Sequence, residues 1–182
     1  DKALGSKGIT AFVIEKGTPG FSIGKVEDKL GIRAESVAEL IFDEVRIPVA
    51  NQIGEVGKGM RIALSILDEG RLDVSGQGVG VASAALDAAI EYSKQREQFG
   101  QLISQFQGIQ WMLVDMANEV DAAWLMAYRA ARLADNGERF TKEVAQAKLF
   151  AANAAMDVTR KSLQIHGGYG YTREYPVEQF YR

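Results

Sequence analysis

The sequence predicts a mainly α protein: an up-down, four-helix-type bundle preceded by the last strands of a β domain. Three observations carry this. Two of the three prolines, Pro19 and Pro48, and the β-branched runs fall in the first 50 residues. From Gly59 to Gly167 no proline interrupts the chain, and apolar residues recur at helical spacing. The breaks between helical stretches, at Phe99-Gly100 and Asn136-Gly137, are short, so successive helices should be antiparallel neighbours.

The elements follow in order. Gly8 to Glu15 reads as a strand that stops at Lys16-Gly17-Thr18-Pro19-Gly20, where Pro and Gly supply turn dihedrals. Phe21 to Val26 is a second strand, and Glu39 to Ile47 a third, closed by Pro48, which cannot donate to a ladder. Three short strands leave edges unpaired, so they are expected to complete a larger sheet. Met60 to about Gln95 then reads as one long helix. Gly70, Gly76, Gly78 and Gly80 weaken it locally, and close helix–helix contact is the favoured reason for them. No strand precedes them, which argues against a phosphate loop. Phe106, Ile109, Leu113, Met116, Val120, Ala123, Ala127 and Ala130 form the seam of the next helix. Gly137 should sit just past its end. Thr141 is expected to cap a third helix, opening with Val144 and continuing through Ala147, Leu149, Phe150, Met156, Val158 and Leu163 toward Gly167-Gly168. Pro176 suits a further helix start.

Composition narrows function. The chain has 182 residues, 47% hydrophobic and 25% charged, which is ordinary for a folded domain. A net charge of -3 argues against a nucleic-acid binder. Cysteine is absent, which removes disulfides, thiolate metal sites and a Cys nucleophile. The single His166 rules out any site built from two His of this chain. No apolar run approaches the roughly 18 residues of a membrane span. The chain begins at Asp1 without an initiator Met and ends at Arg182, shortly after the helix start at Pro176. It is therefore expected to be a piece of something longer.

Gln164 to Thr172 is the most unusual stretch, with Gly167, Gly168 and Gly170 between two helices. Such backbone either approaches a ligand closely and offers N–H groups to anions, or simply caps a helix and turns. His166 reads more readily as a packed residue than as a catalyst. Arg71 and Arg96 could each fork a phosphate or sit as surface charges. Asp68, Glu69 and Arg71 default to a solvated face, and Tyr92, Phe106, Trp111 and Trp124 to core or interface aromatics.

Taken together, the motifs resemble the acyl-CoA dehydrogenase family, nearest its bacterial short-chain, butyryl-type branch. The residues carrying the likeness are Gly8 to Val13, Asp28 to Arg33, Asp68-Glu69-Gly70-Arg71, Arg96-Glu97-Gln98-Phe99-Gly100, Phe106-Gln107, Gln164 to Tyr171, and Tyr175-Pro176-Val177-Glu178 leading to Arg182. Gln179 departs from the family, which commonly has Lys or Arg there. The resemblance implies that residues 1–50 are the tail of a middle β domain and 51–182 a truncated C-terminal helical bundle. It implies oxidation of an acyl-CoA thioester to a trans-2-enoyl-CoA, with FAD as cofactor. It also implies an electron-transferring flavoprotein as partner, a homo-oligomer built as a dimer of dimers, and a bacterial cytoplasmic setting. Arg96 matches the Arg that reaches a neighbouring subunit's FAD pyrophosphate, and Gln107 a second FAD contact. Gln164, Ile165, His166, Gly167 and Gly168 match the strip along a neighbour's FAD. Asp68, Glu69, Gly70 and Arg71 match the segment bordering the acyl-CoA site.

The resemblance also implies that this chain holds no catalytic base. In most of the family the base Glu lies beyond the position of Arg182. In the isovaleryl and long-chain branches it precedes the Arg matching Arg71, where this chain has Gly70. Glu69 is one residue off, about 100° round the helix. Two alternatives stand beside this reading: an oxidase- or monooxygenase-like flavoprotein on the same scaffold, and a helical module that has lost the chemistry.

Overall fold

The computed structural model describes residues 1–182. The chain packs as two compact units, residues 1–67 and 68–182. In the first, the β-branched runs form two separate antiparallel ladders. Strand β1 (Ala11–Phe12) is far shorter than its apolar run. β2 (Phe21–Val26) pairs with β3 (Ala38–Phe42), Phe21 opposite Phe42, with a register irregularity between Ile23 and Val26. The Phe21 and Phe42 rings stack 5.2 Å apart. β3 stops short of the predicted Ile47 because Glu44 takes a left-handed φ of 47°, which turns the chain out of the strand. β4 (Gln52–Ile53), which the sequence did not announce, pairs with β1.

Helix α1 (Gly59–Ser93) is one element, as its proline-free sequence requires. The division expected after residue 50 falls just before β4, which still belongs to the strand-bearing part. The packing boundary lies inside α1, whose first turns belong to the first unit. Of the four glycines expected at a helix contact, only Gly78 makes one. A Cβ there would lie 3.1 Å from the Ala151 carbonyl oxygen, whereas at Gly70, Gly76 and Gly80 it would meet nothing within 4 Å.

After α1 comes a tight hairpin, β5 (Glu97–Gln98) and β6 (Gln101–Leu102), with Phe99 at φ 53° and Gly100 at φ 81° in its turn. Two successive positive φ values match the twist of a two-residue hairpin. α2 (Gln107–Asp135) buries Met116, Val120, Ala123 and Ala130, with Phe106, Ile109, Leu113 and Ala127 packed beside them. It ends in a Schellman motif: the Gly137 N–H donates to the Ala134 carbonyl and the Glu138 N–H to that of Leu133.

α3 (Thr141–His166) buries Val144, Ala147, Ala151, Ala154 and Val158. Leu149, Phe150 and Met156 lie on its outer side. Thr141 does not cap α3. The N-cap position is Phe140, without a side-chain cap bond, and the Thr141 hydroxyl is used elsewhere. Pro176 is the N-cap of the short α4 (Val177–Tyr181).

Core clusters fix the helix directions. Leu72 of α1 meets Ala130 of α2 and Val144 and Ala147 of α3. Further on, Ala85, Ala89 and Tyr92 meet Met116 and Val120, then Val158 and Ile165. So α2 runs antiparallel to both α1 and α3. The core is rich in alanine, which lets the helices approach closely. The approach is close enough for the buried Ser162 hydroxyl on α3 to donate to the Ala85 carbonyl on α1 over 2.8 Å. That bond satisfies a hydroxyl whose burial alone would cost about 1–3 kcal/mol.

Candidate functional site

The residues singled out by sequence fall at two places on the helical unit. Near the end of α1, a cleft of about 470 Å³ is lined by Arg96, Gln98, Ile165, His166, Gly167 and Gly168, among others. α1 delivers Arg96 just past its last turn, where the Arg96 N–H still bonds the Tyr92 carbonyl. α3 delivers the glycines at its C-terminus.

Gly167 has φ 59° and ψ -133°, a conformation that side-chain-bearing residues avoid. It turns α3 into a single 3₁₀ turn, Gly167–Tyr171. A Cβ on Gly167 or Gly168 would meet no protein atom within 4 Å, so it would occupy space that is open along the backbone. Arg96 is exposed and makes no ion pair; its guanidinium lies 5.7 Å from the centroid of the Tyr169 ring. A helix C-terminus carries partial negative charge, so Arg96 is the group that makes this cleft hospitable to an anion.

His166 is packed. It is 3% exposed, its ring stacks on Tyr92 at 4.2 Å, and Tyr175 meets it edge-on at 5.4 Å. Nδ1 lies 2.8 Å from the Ser162 carbonyl oxygen and carries the proton shared with it. Burial pushes its pKa below the usual histidine value, against the smaller opposing pull of that hydrogen bond. A buried, neutral, stacked imidazole forms the cleft wall rather than a proton shuttle. Ile165 is likewise a core residue at the cleft edge. Gln164 is exposed one residue before the lining, and its carbonyl accepts the Gly167 N–H. Gln107 opens α2 and is exposed, outside the cleft lining. Tyr92, expected as a core or interface aromatic, is buried against His166; that Tyr175 would join them, with Tyr169 against Tyr175, was not foreseen from the sequence. The only signal was the cluster of aromatics around the glycines.

The second place is on the first half of α1. From Arg71 to Tyr92 is about 31 Å of helix. There the Asp68 carboxylate accepts from Arg71 Nη1 through Oδ1 at 2.7 Å and from the Thr141 hydroxyl through Oδ2 at 2.7 Å. Both oxygens are committed, so Asp68 is a brace. Glu69 is exposed beside it, and Gly70 faces open space. Another cleft of about 470 Å³ lies between α2 and α3, lined by Glu119, Phe150, Asp157 and Tyr181. Its Glu119 carboxylate is held by Lys161 at 2.6 Å and its Asp157 by Arg160 at 3.1 Å, and no glycine opens its backbone.

Residues 57–182 match the family model described as acyl-CoA dehydrogenase, C-terminal domain. The whole chain is 51% identical to a short-chain-specific acyl-CoA dehydrogenase of Clostridium acetobutylicum, covering 48% of it. It is 45% identical to subunit CarC of the caffeyl-CoA reductase–Etf complex of Acetobacterium woodii, again over the whole chain and 48% of the relative. The structure of butyryl-CoA dehydrogenase from Megasphaera elsdenii superposes over the whole chain with a TM-score of 0.97 at 49% identity, covering 47% of that protein. The chain thus spans about half the length of the curated relatives it matches. With a chain that superposes end to end and residues 57–182 matching the family model, this chain belongs to the acyl-CoA dehydrogenase family.

Proposed function

We propose that the full-length protein is an FAD-dependent short-chain acyl-CoA dehydrogenase, and that this chain supplies the FAD-contacting end of its helical bundle and one wall of its acyl-CoA site. The observation that carries the reading is the unpaired Arg96 cation beside the open Gly167–Gly168 backbone. That set fits a dinucleotide pyrophosphate: a guanidinium for its charge and side-chain-free backbone for its bulk. Bound FAD would supply the two-electron acceptor for Cα–Cβ oxidation. Arg96, Gln164, Gly167 and Gly168 would hold its phosphates, and Gln107 would add a contact where α2 begins. Tyr92 and His166 would keep that wall rigid.

The span along α1 favours an oligomer. Asp68 to Arg71 would border acyl-CoA, yet they sit about 30 Å of helix from the Arg96 end. One chain would therefore serve its own substrate with one end of α1 and a neighbour's cofactor with the other. Residues 1–50 are read as the end of a β domain: Ile23, Val26, Leu40 and Phe42 of the β2–β3 hairpin are each at least half exposed and await cover. Asp68 is engaged, Glu69 is exposed and Gly70 has no side chain, so the α-proton is left to a base outside these residues. Electrons would leave to an electron-transferring flavoprotein, a partner class that appears in the name of the Acetobacterium woodii relative.

Butyryl-CoA-dependent dye reduction by purified full-length protein, with a flavin spectrum bleached by the same substrate, tests this reading. Absence of flavin would favour the module that has lost the chemistry. Rapid reoxidation in air would favour the oxidase alternative. The 45% identity to a caffeyl-CoA reductase subunit supports a second reading, in which the same site runs toward enoyl-CoA reduction. Comparing crotonyl-CoA reduction with butyryl-CoA oxidation under matched electron supply separates the two directions.

A further inference from the structure

The ring of His166 leaves one polar atom without a use inside the chain. Its Nδ1 bonds the Ser162 carbonyl at 2.8 Å. A carbonyl only accepts, so Nδ1 carries the hydrogen, and in the neutral ring Nε2 is left as a bare acceptor. Nε2 has no partner within the chain, and unlike Oε2 of Glu119 it is not sealed from outside. The residue is almost wholly buried and lines the cleft beside Arg96, Gly167 and Gly168, so its small opening is onto that cleft. The direction of the ring is fixed, because Tyr92 stacks on its face and Tyr175 meets it edge-on. Stacking alone would be served by any aromatic ring. The Nε2 lone pair is what histidine adds on the cleft side.

We propose that Nε2 of His166 accepts a hydrogen bond from a sugar hydroxyl of the bound dinucleotide, next to the pyrophosphate at Arg96. The inference rests on the FAD reading above and names the part of the ligand that this wall recognises. A phosphate oxygen is acceptor-only and would set lone pair against lone pair at Nε2. The phosphates belong instead to Arg96, whose backbone is tied to Tyr92 and whose guanidinium lies 5.7 Å from the Tyr169 ring. Tyr169 packs on Tyr175 at 5.6 Å, and Tyr175 on His166. The cation and the acceptor therefore face one cleft from two sides of one aromatic cluster. A flavin dinucleotide carries a sugar on either side of its pyrophosphate, ribose toward the adenine and ribityl toward the flavin. A hydroxyl of either sugar supplies the donor. A ligand that covered Nε2 without a donor would leave a buried acceptor unpaired, which weakens binding. Because packing already holds the ring, little freedom is lost when the bond forms.

The test uses the full-length protein stripped of flavin, titrated with FAD and with FAD analogues that each lack one hydroxyl of the ribose or of the ribityl chain. Dissociation constants are read from flavin fluorescence. The unsubstituted protein should bind one analogue about tenfold more weakly than FAD, the loss of one hydrogen bond to a buried acceptor. Which analogue it is identifies the sugar. In His166→Phe, FAD itself should bind about tenfold more weakly and that analogue's deficit should vanish, while the deficits of the other analogues stay. Equal affinity of the unsubstituted protein for FAD and every analogue would overturn the proposal while leaving the FAD reading intact, and this comparison needs no variant. Deficits that all persist unchanged in His166→Phe would overturn it too. Failure of the unsubstituted protein to bind FAD at all would overturn both. A separate arm reads the tautomer by nitrogen NMR of histidine-labelled protein, with the signal assigned by its loss in His166→Phe. Nε2 should carry no hydrogen and should shift when FAD is added. A hydrogen on Nε2 would contradict the proposal.

Discussion

The Thr141 hydroxyl donates to Oδ2 of Asp68 across 2.7 Å, although 73 residues separate them. The other carboxylate oxygen of Asp68 accepts from Arg71. One side chain on α1 therefore holds both the start of α3 and the arginine proposed to border acyl-CoA. Because Asp68 is only 17% exposed, its bonds act in a partly desolvated setting, where a hydrogen bond to a charged group contributes about 1.5–3 kcal/mol. Thr141→Val should lower unfolding stability by about 1–2 kcal/mol and Thr141→Ser by much less. Asp68→Ala should cost more than Thr141→Val, since it also releases Arg71. Urea midpoints of the three variants check this; equal midpoints for Val and Ser would show that the hydroxyl contributes nothing.

Two glycines on one helix should respond in opposite directions. Gly70→Ala adds a Cβ into open space, and Ala is favoured over Gly in a helix by about 0.8–1 kcal/mol. That variant should be more stable. Gly78→Ala gains the same propensity but sets its Cβ 3.1 Å from the Ala151 carbonyl oxygen. Overpacking costs about 1–3 kcal/mol, so this variant should be less stable. Thermal midpoints of the pair give the sign, and stabilisation at both positions would mean that α1 and α3 are not in close contact at Gly78.

His166 ties stability to pH. Its folded pKa lies below the ordinary 6.5 because burial disfavours the imidazolium. The unfolded chain therefore binds the proton first. The contribution of this group is complete above about pH 6.5 and is lost as pH falls toward the folded pKa, with a slope of at most about 1.4 kcal/mol per pH unit. His166→Phe keeps an aromatic ring against Tyr92 and Tyr175 but cannot titrate. Its stability should change less than that of the parent between pH 6.5 and 5, measured by denaturant midpoints. Parallel curves for the two proteins would rule out His166 as the source.

Gly70 is also where a carboxylate could be supplied. In a full-length variant whose own base has been removed, Gly70→Glu should restore part of the butyryl-CoA-dependent dye reduction, because a positioned general base contributes about 10²–10⁴-fold. The open space at Gly70 accommodates the side chain. Asp68→Glu should restore nothing, since that carboxylate is engaged by Arg71 and Thr141. Equal rescue by both would place the substrate on a different face of α1.

The α2 seam was legible from Phe106 to Ala130 because a half-buried helix repeats its contacts every three to four residues. The Gly137 terminus was legible because only a left-handed residue closes that motif. The role of Asp68 was hidden, since its partner Thr141 is distant in sequence and looked like a cap. The glycines of α1 were equally opaque: composition does not say which of four small residues points at α3. In β3 the apolar run outlasted the strand, because Glu44 turns the chain where hydropathy alone would continue it. At the cleft, Ile165 to Gly168 of the motif strip line the opening, but the aromatic packing that immobilises His166 exists only once Tyr92 and Tyr175 are brought together.

The role proposed for Arg96 is to hold a flavin phosphate at the open end of the bundle. Its most direct measurement is the flavin-to-protein ratio of full-length Arg96→Ala after gel filtration, beside Lys94→Ala as a neighbouring control that lies outside the cleft lining. Losing a charge-assisted bond of about 1.5–3 kcal/mol corresponds to roughly 10- to 150-fold weaker binding. Arg96→Ala should shed most of its FAD while Lys94→Ala retains it. Full retention of FAD by Arg96→Ala in a correctly folded protein would contradict it.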